Sequence, residues 1–323
     1  MIIEEIAITE MTKFQIGNAQ DKAAATGCTV ILCKDGATGG VDVRGGAPGT
    51  RETDLLRPEN YIEKVHAVLL AGGSAFGLDA AAGVMAYLED RGIGFDVGVT
   101  KVPIVPGAVL FDLNCGSHKV RPNKKMGYEC CLAAEDNDFK EGSEGAGTGA
   151  TVGKFLGEKN AMKGGIGSFA LRCGDLMVGA VVAVNCLGNV FEDGKIIAGA
   201  YQAEPFCFLD SETLWADVFS KSVVSGGSNT TIGVVLTNAN FTKAQTNKLA
   251  SMAHDGYARA IRPAHTIFDG DTIFALASGQ VEADINLTGI LACRAIEGAV
   301  IRAVKKASSL GGYSCWQDFC NIK

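Results

Sequence analysis

Four runs in this chain are apolar at nearly every position, and they constrain its fold more than any other feature. They are GCTVILCK (27–34), VHAVLLAGG (65–73), DLMVGAVVAVNCLGNV (175–190) and TIGVVLTNA (231–239). A strand with one wet face alternates apolar and polar residues, whereas a run with little alternation reads as a strand buried on both faces. Helix-like segments separate these runs. GSAFGLDAAAGVMAYLEDRG (73–92) is one. TKAQTNKLASMAHDGYARAI (242–261) opens on a capping box, Thr242 with Gln245, and carries Leu249, Met252, Ala253, Ala260 and Ile261 at helical spacing. TGILACRAIEGAVIRAVKKAS (288–308) places Ala292, Ile296, Ala299 and Ala303 on one side. Strands and helices alternate through both halves, which predicts an α/β architecture with helices over both sheet faces. The 323 residues show neither an internal repeat nor a low-complexity linker, so residues 1–323 read as a single domain.

Two further segments look local. HTIFDGDTIFALASG (265–279) reads as a hairpin with DGD as its turn. From Asp210 the pattern loosens into SKSVVSGGS (220–228), the composition of a flexible surface loop.

A formal net charge of -7 with scattered lysines and arginines supplies no basic stripe, which argues against a nucleic-acid partner. The N-terminus MIIEEIAITEM lacks a positive region and a long apolar core, so no secretion signal is expected. No apolar run approaches the roughly 18 residues that cross a bilayer. The expected setting is cytoplasmic, with no membrane partner. The 11 cysteines include no CxxC pair and read mostly as buried thiols, so neither a metal site nor another cofactor is expected.

Three familiar motifs fail on spacing. Gly72, Gly73, Ser74 and Ala75 are followed by Phe76, so the nucleophile elbow lacks its last glycine and Ser74 is not read as a nucleophile. The same turn lacks the first spaced glycine pair of a dinucleotide fingerprint. GAGTGATVGK (145–154) ends like a phosphate loop, but Thr148 stands where its first glycine belongs and Phe155 where Ser or Thr would meet magnesium. Its glycines serve either close approach of backbone N–H groups to a reacting carbonyl or tight turns.

SGGSNTTIGVVLTNA (225–239) carries more chemistry than a polar turn requires. If the Asn229–Thr230 bond were cut, Thr230 would hold a free α-amine, of pKa roughly 7.7–8.0, beside its own hydroxyl. Such an amine accepts the hydroxyl proton near neutral pH and needs no histidine partner. The chain has only 4 histidines: His66, His118, His254 and His265.

NTTIGVVLTNA with the following TKAQTNKLASMAHDGYARAIRPAHTIFDGDTIFALASG resembles the self-processing aminopeptidases of the DmpA type, which include L-aminopeptidase/D-esterases and β-aminopeptidases, and the related nylon-oligomer hydrolases. VHAVLLAGGSAFGLDAA, KVPIVPGAVLFDL, GAGTGATVGK and MKGGIGSFALR resemble the same family in the same order, so the likeness runs from about Gly27 to Gly279. It implies a four-layer α/β/β/α sandwich of the DmpA/ornithine acetyltransferase type, autocleaved into two fragments that stay together in a homo-oligomer. The implied cut lies between Asn229 and Thr230, giving fragments 1–229 and 230–323. Thr230 is then the self-cleaving group and later the nucleophile. Asp269 and Asp271 are implied to orient the Thr230 amine and hydroxyl and to attract a substrate ammonium. Asn185 is implied as an amide donor to the oxyanion, and Lys154 as an electrostatic support for the aspartates. The implied substrates are short peptides, amino-acid amides or esters, or ω-amino-acid oligomers. One departure stands out: the aminopeptidase branch has a tyrosine in the segment matching VPIVPGAVLFDL, which has none here, and Tyr128 is too distant in sequence to replace it. An acyl transferase of the ornithine acetyltransferase type and an uncut, non-catalytic scaffold are the alternatives.

Overall fold

The computed structural model describes residues 2–219 and 229–320. Its centre is a ten-stranded sheet. The strands are β1 (Ile3–Ile6), β2 (Gln15–Asp21), β3 (Thr26–Val43), β4 (Thr50–Arg51) and β5 (Lys64–Ala71). They continue with β6 (Gly107–Val109), β7 (Gly165–Cys173), β8 (Leu176–Asn185), β9 (Thr230–Ala239) and β10 (Thr272–Val281). The order is β1-β7-β8-β9-β10-β3-β5-β6-β4, with β2 also paired to β3.

One long strand turns this sheet into two layers. The first part of β3 pairs with β2 and β5, and its last part, Thr38–Val43, pairs with β10. A register irregularity between Leu32 and Ala37 separates the two parts. Extra residues in one strand bend it and increase its twist, so the two halves of the sheet fold face to face. Side chains on the inner faces fill the space between: Ile31, Val68 and Leu70 from one half, Val181, Ile232, Val234 and Phe274 from the other.

Helices α1 (Ala80–Glu89) and α2 (Lys124–Glu135) cover one outer face, over Val30, Leu32, Ala67 and Leu69. A short helix, α3 (Ser211–Phe219), follows later in the chain. Helices α4 (Lys243–Ala260) and α5 (Ile285–Lys306) cover the other outer face, over Val178, Val182, Val235 and Ile273. The layers therefore read α/β/β/α, as expected. The uninterrupted apolar runs follow directly, since alternate residues of β5 and β9 face a helix layer and the opposite sheet.

The capping box is present: Gln245 N donates to Thr242 Oγ1 at 3.3 Å and Thr242 N to Gln245 Oε1 at 3.0 Å. Leu249, Ala253 and Ala260 are buried, as are Ala292, Ile296, Ala299 and Ala303 of α5. The cysteines are free thiols, and all but Cys207 and Cys320 are buried. Among the described residues no helix is long and apolar enough to cross a membrane.

Three local expectations need correction. The helix beginning near Gly73 starts as a 3-10 turn, Ser74–Asp79, and becomes α-helical only at Ala80. The stretch after Asp210 does not loosen at once: α3 forms there, with Thr213 N bonded to Asp210 Oδ1 at 2.9 Å and Ser211 Oγ donating to Asn189 Oδ1 at 2.9 Å. The loop expected at 220–228 lies outside the described residues.

The third correction matters most. DGD is not the turn of a hairpin, because residues 265–268 form no strand, and the preceding Ile261–Arg262 pairs with Asn189 and Val190 in a separate small sheet. Instead, β10 runs parallel to β9, with Ile232 beside Thr272 and Val234 beside Phe274. Parallel neighbours need a long crossover, and α4 supplies it. Thr230 and the DGD segment thus enter the sheet side by side at the same end of two adjacent strands.

Candidate active site

Thr230 opens β9 between two neighbours. Across the antiparallel ladder with β8 its partner is Asn185, the last residue of that strand. On the parallel side the chain of Asp269–Asp271 leads into β10, and Asn229 forms a bridge with Asp269. Side chains alternate along β9, so Thr230 shares the inter-sheet face with Ile232 and Val234, while Thr231 points toward the helix layer.

The peptide bond before Thr230 is held at its carbonyl. The Asn229 oxygen accepts the backbone N–H of Gly270 at 3.0 Å, and the Thr230 hydroxyl donates to that same oxygen. Gly270 is required sterically. A Cβ there would lie 2.7 Å from the Thr230 hydroxyl oxygen and 2.7 Å from the Ala47 carbonyl oxygen.

The two aspartates flank Gly270 and are almost fully buried. Asp269 accepts from Thr266 Oγ1 at 2.5 Å, Thr266 N at 3.1 Å and Leu187 N at 3.4 Å. Burial, with the Asp271 carboxylate beside it, pushes its pKa up to about 6. Asp271 accepts from Thr231 N at 2.7 Å and from both the backbone N and ring Nδ1 of His265, at 3.0 and 2.9 Å. Among the described residues neither carboxylate hydrogen-bonds the Thr230 hydroxyl while the 229–230 bond is intact.

Lys154 and Asn185 form the other wall. The Lys154 ammonium donates to the Asn185 backbone oxygen at 2.9 Å, and its backbone N bonds Leu187 O at 3.1 Å. Burial draws the amine's pKa down to about 7, against the opposing pull of Cys186 and Asp269. The Asn185 side chain takes Thr151 N on its oxygen at 2.9 Å and donates to Phe111 O at 3.0 Å. In GAGTGATVGK the glycines serve tight packing: Gly153 has φ +74° and its N–H binds Gly188 O at 3.0 Å.

A cleft of about 160 Å³ opens beside Thr230 at the mouth between the two sheets. Ala47, Pro48, Ala75, Val109, Phe111 and Phe268 give it apolar walls, and Ser74, Asn229 and Thr230 add polar groups. Among the described residues no charged side chain lines it. Among the described residues no group of three or more His, Cys, Asp or Glu is arranged to hold a metal ion.

The sequence model of peptidase family S58 matches residues 6–316. The chain belongs to peptidase family S58. An uncharacterized aminopeptidase of Mycobacterium leprae is 42% identical over 95% of this chain and 92% of its own. A 6-aminohexanoate-oligomer endohydrolase of Agromyces is 32% identical over 84% of this chain and 76% of its own. The solved L-aminopeptidase D-Ala-esterase/amidase of Ochrobactrum anthropi, described as a variant of the Ntn hydrolase fold, superposes with a TM-score of 0.72 at 17% identity, covering 95% of this chain and 87% of its own. As an S58 (DmpA-type) member the chain is a hydrolase of peptide or amide bonds.

The candidate site thus gathers Asn229, Thr230, Asp269, Asp271, Asn185 and Lys154 at one end of the central strands. Sequence reasoning missed His265, Gly270 and the cleft residues Ser74 and Phe268. Ser74 has φ +53° and bonds Leu110 O at 2.9 Å through its backbone N. Phe111 occupies the segment where the aminopeptidase branch has tyrosine, and Tyr128 lies elsewhere, on α2, bonded to Asp90 at 3.0 Å.

Proposed function

We propose that this protein is an autoprocessing hydrolase whose nucleophile is an N-terminal threonine, Thr230. The observation that carries the reading is the double hold on the Asn229 carbonyl oxygen, by the Thr230 hydroxyl and the Gly270 N–H. In the first reaction Thr230 Oγ1 adds to the Asn229 carbonyl carbon and the amide nitrogen leaves with a proton, giving an ester and a free amine. The Gly270 N–H stabilises the negative charge that develops on the oxygen. Water then hydrolyses the ester, leaving the Asn229 carboxylate and the Thr230 α-amine.

In the second reaction that amine takes the hydroxyl proton as Thr230 Oγ1 attacks a substrate carbonyl. The leaving amine departs protonated, an acyl-enzyme ester remains, and water releases the acid. Asp269 and Asp271 orient the new amine, Lys154 balances their charge, and Asn185 supplies an amide beside the oxyanion. No cofactor enters either step.

Fragments 1–229 and 230–323 stay associated in this reading. β9 pairs with β8 of the large fragment from Thr230 to Thr237, and α5 packs on β7 and β8. Size-exclusion chromatography with light scattering reads the homo-oligomer that the family resemblance implies.

The lining of the cleft supports a small acyl group without a charged side chain: a short peptide residue, an amino-acid amide or ester, or an aliphatic ω-amino-acid unit. A panel of aminoacyl p-nitroanilides, including D- and β-forms, and 6-aminohexanoate oligomers tests this. Turnover by the wild type that is lost in Thr230→Ala is the expected result. Equal turnover by Thr230→Ala would place the nucleophile elsewhere.

A further inference from the structure

His265 stands outside the proposed chemistry, yet its geometry is specialised. Its backbone has φ +59°, in the left-handed region that few non-glycine residues adopt. In that conformation the backbone N–H and ring Nδ1 both reach one atom, Asp271 Oδ2, at 3.0 and 2.9 Å. Since a carboxylate only accepts, Nδ1 carries the ring hydrogen. The other ring nitrogen, Nε2, is buried with no hydrogen-bond partner among the described residues, so Asp271 accounts for the ring's polar contact. Asp271 is 2% exposed, and its second oxygen holds the Thr231 N–H at 2.7 Å. A strained residue held by two bonds to a buried carboxylate, whose other oxygen binds the residue after Thr230, marks a place where strain serves function.

We propose that His265 is a positioning residue, which clamps Asp271 so that its free oxygen fixes the Thr231 amide and, through it, seats the Thr230 hydroxyl against the Asn229 carbonyl. The inference rests on the threonine-nucleophile reading. A loosened Asp271 leaves the start of β9 free to shift, and a displacement near 1 Å costs about a hundredfold in a reaction that depends on orientation.

Two substitutions separate backbone strain from the side-chain donor. His265→Gly accepts the positive φ and removes the donor. His265→Asn also tolerates that conformation and returns an N–H near the position of Nδ1. Each variant, with the wild type and Thr230→Ala, is made in a pulse of cell-free synthesis. Appearance of fragment 230–323 is followed on denaturing gels, thermal melts check folding, and kcat and KM are measured on the mature proteins. A hydrogen bond to a charged group sets the scale, so His265→Gly should cleave at least about tenfold more slowly and lose kcat with little change in KM, while His265→Asn stays within about threefold of wild type. Cleavage by His265→Gly at the wild-type rate, or by a folded His265→Asn as slowly as the glycine variant, would overturn the inference. Failure of the wild type to cleave, or cleavage by Thr230→Ala, would overturn the underlying reading and the inference with it.

Discussion

The Gly270 N–H points at the Asn229 carbonyl oxygen from 3.0 Å, from the segment that leads into β10 directly beside the bond it addresses. A Cβ at position 270 would collide with both the Thr230 hydroxyl and the Ala47 carbonyl. Gly270→Ala should therefore displace the donor and slow self-cleavage by about a hundredfold or more, the usual cost of losing one oxyanion donor. A pulse-labelled time course measures it. Cleavage of a folded Gly270→Ala protein at the wild-type rate would remove this donor from the mechanism.

Asp269 carries a pKa raised to about 6 by burial and by Asp271. A folded-state pKa above the unfolded value means that the folded chain binds this proton more tightly. That contribution is complete below about pH 4 and is lost as pH rises through 6, on the order of a few kcal/mol in all. Asp269→Asn has no such loss. Its melting temperature relative to wild type should rise between pH 4 and pH 7.5, while activity falls. A melting difference that stays flat across that range would contradict the assignment.

Activity of the mature wild type should likewise rise with pH along a limb centred near 6, as Asp269 ionises, with a further step at roughly 7.7–8.0 as the Thr230 α-amine loses its proton. Lys154→Met removes a cation that attracts Asp269, so the limb should move to higher pH by some tenths of a unit. An unmoved limb in kcat/KM profiles would disconnect the two groups.

Ala75 lines the cleft and is exposed. Ala75→Trp should obstruct substrate without touching the 229–230 bond, raising KM by about tenfold or more with normal self-cleavage, on the scale of a few kcal/mol for a lost apolar contact. Parallel measurement of fragment formation and steady-state kinetics decides it. Unchanged KM would place the acyl group elsewhere.

The apolar runs made the layered fold legible, because strands buried on both faces leave a sequence pattern that few other architectures produce. The parallel pairing of β9 with β10 was not legible. Asp269-Gly270-Asp271 has the local chemistry of a tight turn, and local chemistry does not record that its partner strand lies across an 18-residue helix. The side chains Thr230, Asp269, Asp271, Asn185 and Lys154 could be picked out by motif and do converge. Gly270 acts through its backbone N–H, which almost any residue offers, and only the close approach of Ala47 and Thr230 explains the glycine. His265 gave no signal either, since its interest lies in a backbone conformation and a contact with Asp271. Asp271 binds the backbone N–H of Thr231, so its hold on Thr230 runs through the backbone.

The central claim is that Thr230 becomes a chain terminus. Intact-mass measurement of the purified protein, with N-terminal sequencing of the smaller species, tests it most directly. Two masses are expected, corresponding to 1–229 and 230–323, with the smaller beginning Thr-Thr-Ile-Gly, and one uncut mass without activity for Thr230→Ala. A wild-type protein that hydrolyses amide substrates at full rate as a single unbroken 323-residue chain would contradict it.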